Sequence, residues 1–272
     1  MLISSHGTVL VTIGTKEGFV LAADSLQTLR GEILSDKKQK IYRLRKYVAC
    51  SMTGRTWSLE SESKLEYDLH REVPLYARNS TASSVRQHAE QMADWFYQRI
   101  EPFYTRFPDA LNDWLERTTG RDSFISLDIV GYHDKKRPRW CRVNFPPRWE
   151  MQGSVSRLVR PDRPEVFPIE SEQFGIGPSG WPVVVDSLRN KNEETYPDCR
   201  CLEPIKKYHS SLSAGTLRNM ALEEGIELAR TFVECSIQHS PPEAGVGGKV
   251  QLAVVERKKG FRWVNRLSDD WT

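Results

Sequence analysis

From Val9 to Met52 apolar residues recur with the two-residue period of β-strands. Val9, Val11 and Ile13 alternate with Leu10 and Thr12, Lys16-Glu17-Gly18 supplies a turn, and Phe19 to Ala23 returns, which predicts a hairpin. Lys40 to Leu44 and Tyr47 to Met52 repeat the arrangement across Arg45-Lys46 and end at Thr53-Gly54. Four strands are therefore predicted ahead of any helix.

The period then lengthens. Thr56 to Tyr76, rich in Glu, Leu, Lys and Arg, predicts a helix ending near Pro74, because proline lacks the N–H a helix interior needs. Val85, Ala89, Met92, Phe96, Ile100 and Phe103 follow at steps of three and four, one apolar stripe on a second helix. Both helices should pack on one face of a sheet. Strands resume at Phe124 to Tyr132 and Arg139 to Phe145, with the basic cluster Lys135-Lys136-Arg137-Pro138-Arg139 turning the chain between them. An irregular Pro- and Arg-rich stretch to Pro168 is followed by helical patterns at Trp181 to Arg189 and Ser213 to about Gln238. In the latter, Leu217, Ala221, Leu228, Phe232 and Cys235 share a face, and Ser213 suits the N-cap. Gly247-Gly248 breaks the pattern, and Val250 to Val255 with Phe261 to Val264 predict a closing hairpin. Batches of strands alternating with batches of helix argue for antiparallel sheets with helices outside.

Composition narrows the class. At 272 residues the chain can bury most of its apolar surface as one domain. A balance of 39 basic against 36 acidic residues gives no reason to expect a nucleic-acid or membrane partner. Five cysteines without a repeating spacing indicate neither a disulfide framework nor a zinc site, and a cytoplasmic location is expected. No apolar run reaches membrane-spanning length, and no secretory signal is expected in Met1 to Gly7.

The candidate chemistry lies at the start of the chain. Gly7-Thr8 precedes the first strand, Asp24 lies sixteen residues beyond Thr8, and Lys40 sixteen beyond that. A threonine hydroxyl is a weak nucleophile until a base removes its proton, and the α-amine of a chain that begins at Thr8 can do so. That amine titrates at roughly 7.7 to 8.0, which suits a general base. While Gly7 remains attached the same nitrogen is an amide, so the chemistry requires removal of Met1 to Gly7. Taken singly, Asp24 reads as a strand-end turn former, Lys40 as a solvated charge and Gly54 as a turn residue.

Together these residues resemble a family. Gly7-Thr8, Gly18-Phe19-Val20-Leu21-Ala22-Ala23-Asp24-Ser25, Thr28, Lys40-Ile41 and Thr53-Gly54 are similar, in one register, to the proteasome β-type subunits of the N-terminal nucleophile hydrolases. Ile176-Gly177-Pro178-Ser179-Gly180 resembles the family's glycine-serine turn more loosely. The resemblance implies an α+β fold, a four-layer αββα sandwich of two antiparallel sheets flanked by helices, with 1–7 a propeptide and 8–272 one domain. It implies Thr8 as nucleophile, Lys40 as the cation beside its hydroxyl, Asp24 as the acid orienting that lysine, and Gly54 as donor of an oxyanion N–H. It further implies that Thr28 pairs with substrate main chain and that Gln27, Lys38, Met52, Thr56 and Glu60 line the specificity pocket. Partners would be unfolded polypeptide or peptide substrates, further copies in a homo-oligomeric ring, and an ATP-dependent unfoldase; no metal or organic cofactor is called for.

Two departures keep a second reading open. Pro178 stands where the family has a serine, with Ser179 one place on, and before Gly247-Gly248 the family's acid and serine are matched by Glu243 and Val246. Ser179 and Glu243 are therefore secondary site candidates. A silent ring subunit and an amidohydrolase of small amides remain alternatives to the threonine peptidase.

Overall fold

The computed structural model describes residues 8–29, 32–54, 56–61, 64–109, 125–133, 137–145, 149–153, 155–158, 166–169, 176–180 and 219–267. The first strands are β1 (Val9–Gly14), β2 (Gly18–Ala23), β3 (Gln27–Leu29), β4 (Glu32–Ser35), β5 (Ile41–Arg45), β6 (Val48–Gly54), β7 (Trp57–Ser61) and β8 (Lys64–Asp68). Helices α1 (Leu69–Asn79) and α2 (Val85–Arg106) follow, then β9 (Ile125–His133), β10 (Arg137–Phe145), β11 (Trp149–Gln152), β12 (Val155–Leu158), β13 (Val166–Ile169) and β14 (Ile176–Gly180). Helix α3 (Leu222–His239), β15 (Gln251–Glu256) and β16 (Gly260–Asn265) complete the order.

Two five-stranded sheets result, β14-β1-β2-β15-β16 and β13-β10-β9-β6-β5, with antiparallel pairing throughout. Strand alternation sorts the side chains into layers. Val9, Val11 and Ile13 of β1 with Val20 of β2 pack under Leu228, Phe232 and Cys235 of α3. On the other face of the same strands, Leu10, Leu21 and Ala23 meet Ile41, Ala49, Val130 and Trp140 of the second sheet. That sheet's outer face, with Cys50, Leu127 and Ile129, is covered by the predicted stripe Val85, Ala89, Met92, Phe96, Ile100 and Phe103 of α2 and by Val73 and Tyr76 of α1. The order of layers is helix, sheet, sheet, helix, the αββα sandwich that the resemblance implied.

Several local expectations are corrected. Among the described residues, eight strands, not four, precede the first helix. The segment Thr56 to Asp68 pairs as the β7–β8 hairpin, and only Leu69 onward is helical. Trp57, Leu59, Leu65 and Tyr67 carry a two-residue period that the surrounding Glu and Lys obscured. Helix α1 starts where it does because the Asp68 carboxylate accepts the His70 N–H at 2.9 Å, satisfying an otherwise orphaned donor. Pro74 sits inside α1 rather than ending it: it lies on the exposed side, while burial of Val73 and Tyr76 holds the turns around it. The stretch read as irregular contains the β11–β12 hairpin and β13, whose Pro168 is tolerated because β13 is an edge strand. Helix α3 begins at Leu222, with the Ala221 N–H held by the Glu224 carboxylate at 3.0 Å. Ser213, Leu217 and the Trp181 to Arg189 segment lie outside the described residues.

Candidate active site

Asp24 follows the last residue of β2, and Lys40 immediately precedes β5. Sheet packing brings them together: Lys40 Nζ donates to Asp24 Oδ1 at 2.8 Å, with 3% and 0% of the side chains exposed. The same oxygen accepts the Val9 N–H at 3.0 Å, and Oδ2 accepts the N–H groups of Gly247 at 3.1 Å and Leu26 at 3.3 Å. A carboxylate removed from water is thus surrounded by donors on both oxygens, which such burial requires. Burial pushes the Asp24 carboxyl upward against the pull of Lys40 and of the Gly247 and Val9 N–H groups. Burial also pushes the Lys40 ammonium downward, against the pull of Asp24 and with help from the charge of Lys38. Lys40 consequently gives up a proton more readily than a solvated lysine does.

A frame of backbone contacts keeps the pair in register. The Gln251 side chain accepts the Lys40 N–H at 3.0 Å and donates to the carbonyls of Asp24 at 3.1 Å and Lys38 at 2.7 Å. Ser25 Oγ accepts the Lys249 N–H at 2.7 Å and donates to the Asp36 carbonyl, while the Ser25 and Leu26 N–H groups reach the Gly247 carbonyl. Gly248 has φ 76°, and a Cβ there would stand 2.6 Å from Ser25 Oγ and 3.0 Å from the Asp36 carbonyl oxygen, so only glycine fits. Sequence reading missed Gln251, Ser25 and this use of the glycine pair. Its one available signal was a polar residue opening the otherwise apolar run Gln251 to Val255.

Thr8, 7% exposed, is the residue before Val9, so the Val9 N–H bond ties its backbone to the carboxylate that holds Lys40. Gly7 lies outside the described residues. Gly54 ends β6 at φ 97°, a left-handed conformation open to glycine, and its carbonyl accepts the Thr56 N–H at 2.8 Å. The segment expected as a glycine-serine turn is instead strand β14, paired with β1 so that Gly180 faces Val9, Ser179 faces Leu10 and Pro178 faces Val11. Pro178 is accommodated because β14 is an edge strand. Glu243 lies in the short 3-10 turn Pro242–Ala244, and Val246 packs with Ala244 in the apolar cluster beneath α3.

The pocket candidates divide. Gln27 and Thr28 lie on β3, with Thr28 buried. Lys38 Nζ pairs with the Asp68 carboxylate at 3.0 Å, and Thr56 Oγ1 bonds His70 Nε2 at 2.8 Å. His70 Nδ1 meets the Tyr42 hydroxyl at 2.8 Å, which donates to the Gln39 carbonyl at 2.6 Å. Burial, with the charges of Lys38 and Lys40, holds the His70 imidazole well below its ordinary value, hence neutral. Met52, fully buried in the helix-side core, presents no surface to a pocket in this arrangement. Glu60 falls in β7.

An αββα sandwich with a buried acid-lysine pair against the first residues of its first strand is the arrangement that the resemblance to the N-terminal nucleophile hydrolases implied. Residues 4–104, from ahead of β1 nearly to the end of α2, match the family described as Proteasome subunit. The match contains Thr8, Asp24, Lys40 and Gly54. No curated protein matches the chain. Among the described residues, no helix is long and apolar enough to cross a membrane.

Proposed function

We propose that this chain is a threonine peptidase of a proteasome-like ring, acting through Thr8 once Met1 to Gly7 have been removed. The observation that carries the reading is the buried contact of Lys40 Nζ with an Asp24 oxygen that also accepts the Val9 N–H. In this mechanism the freed α-amine takes the proton of Thr8 Oγ as the oxygen attacks a peptide carbonyl. Lys40 stabilises the developing alkoxide by its charge, and Asp24 fixes the direction of Lys40. The Gly54 N–H donates to the oxyanion, a type of contact worth about 3 kcal/mol in other enzymes. Collapse of the tetrahedral species passes the proton from the α-amine to the leaving amine and forms an ester on Thr8. Water, deprotonated by the same α-amine, then cleaves that ester. Ser179 and Glu243 are candidates for holding the amine. Thr28 would pair with substrate main chain, and Gln27, Lys38 and Thr56 would border the side-chain pocket, with Lys38 largely neutralised by Asp68. Homo-oligomeric assembly, an unfoldase partner and a cytoplasmic location belong to the same proposal.

The silent-subunit reading draws on two observations. Pro178 in β14 supplies neither hydroxyl nor N–H, and Val246 fills an apolar cluster where a serine could have reached the amine. Hydrolysis of an unstructured polypeptide separates the readings. The peptidase predicts turnover that Thr8→Ala and Lys40→Ala each lower by about a thousandfold or more, with Thr8→Ser retaining part. Absence of turnover in the assembled wild-type protein, with no ester formed on Thr8, would establish the silent subunit.

A further inference from the structure

A cleft of about 430 Å³ opens where the two sheets end side by side, between the edge strands β5 and β16, with Pro74 of α1 at its rim. Its volume is that of a small-molecule site. Three arginines line it, Arg43, Arg262 and Arg266, and none of its described lining residues is acidic. In a chain whose charges nearly cancel, that is a local excess of positive potential. Arg262 is partly neutralised from outside the cleft, by Glu256 at 2.7 Å and Glu223 at 3.8 Å. Arg43 is exposed on β5, and the Arg266 guanidinium lies 6.0 Å from the centre of the Trp263 ring.

The remaining wall is aromatic. Tyr42, Phe261 and Trp263 line the same cleft, and Phe261 and Trp263 meet edge to face at 5.4 Å while remaining half-buried. Aromatic faces beside guanidinium groups take a planar body through stacking and its anionic end through charge-assisted hydrogen bonds. A neutral aromatic would make no use of the exposed Arg43 charge, and a bare anion would leave the rings wet.

We propose that this cleft is a binding site for a small aromatic anion, a ring carrying a phosphate or carboxylate, separate from the chemistry at Thr8. Arg43 holds the anionic group, and Trp263 and Phe261 cover the ring. Two of the cleft's walls adjoin the candidate active site. Gln39 adjoins Lys40 in the chain, and Tyr42 donates to the Gln39 carbonyl while contacting His70.

Calorimetry on the assembled Thr8→Ala protein tests the site without depending on peptidase activity. The probes are phenyl phosphate, inorganic phosphate and benzyl alcohol. Saturable binding of phenyl phosphate is expected, with phosphate and benzyl alcohol each at least about tenfold weaker. Arg43→Gln, at an exposed strand position that the fold tolerates, should weaken phenyl phosphate by about tenfold, and Arg43→Glu by more. No saturable heat with phenyl phosphate, equal binding of all three probes, or affinity unchanged in both Arg43 variants would overturn the proposal.

Discussion

Asp24 and Lys40 are unequal partners in stability. Removing Lys40 leaves a carboxylate that still accepts three backbone N–H groups, whereas removing Asp24 strands a buried ammonium and those three donors together. Asp24→Leu should therefore cost about 3–5 kcal/mol in urea unfolding, and Lys40→Met clearly less, although both variants lose turnover. Equal costs would mean that the backbone donors contribute little. Gly248→Ala probes the frame from farther away. Its new methyl group would displace Ser25 and Asp36, so both stability and turnover should fall without any change in a reacting group. The meeting of Asp24 with Lys40 was legible in the sequence because their types and spacing fit the pattern of the family that the chain resembles. Gln251, Ser25 and Gly247 were not, since they act on the backbone of segments more than 200 positions away or through turns that only the packed sheets define.

Helices α1 and α2 carry a histidine that couples this layer to pH. His88 is buried in α2, its Nδ1 meeting the Tyr76 hydroxyl at 3.0 Å, and burial with the nearby Arg45 charge lowers its pKa to about 4. Between the unfolded value of about 6.5 and that folded value the unfolded chain binds more protons. The His88 contribution to stability should therefore fall as pH drops from about 6.5 to 4 and then level, a loss of about 3 kcal/mol. Urea midpoints across this range should show a shallower slope in His88→Gln than in the wild type, with His70, also buried and held below its ordinary value, supplying what remains; the same slope in both proteins would exclude His88 as a source. At this scale the sequence was read well where one period ran unbroken, as in β1, β2, β5, β6 and α2. It was misread at β7 and β8, where a two-residue apolar period is embedded in residues of high helix propensity, and pairing outweighed propensity. Short edge elements such as β13 and β14 were missed because their prolines argue against strand anywhere except an edge, and edges are defined by the sheet.

The whole molecule joins two sheets through one shared apolar layer, and the first strand of one sheet carries Thr8 to that layer's margin. A ring subunit should not sediment as a 31.3 kDa monomer, so sedimentation velocity at micromolar concentration is expected to show a larger, discrete species. A monomer alone would count against assembly while leaving the fold untouched. In the proposed mechanism the base is the nitrogen of Thr8 itself, which exists only after the peptide bond from Gly7 is broken. Intact-mass measurement of the protein purified from its native host tests this most directly. A threonine peptidase of this kind should give a chain that begins at Thr8, and an unprocessed Gly7-Thr8 junction after Thr8→Ala; assembled wild-type protein that retains residues 1–7 would overturn the proposed mechanism.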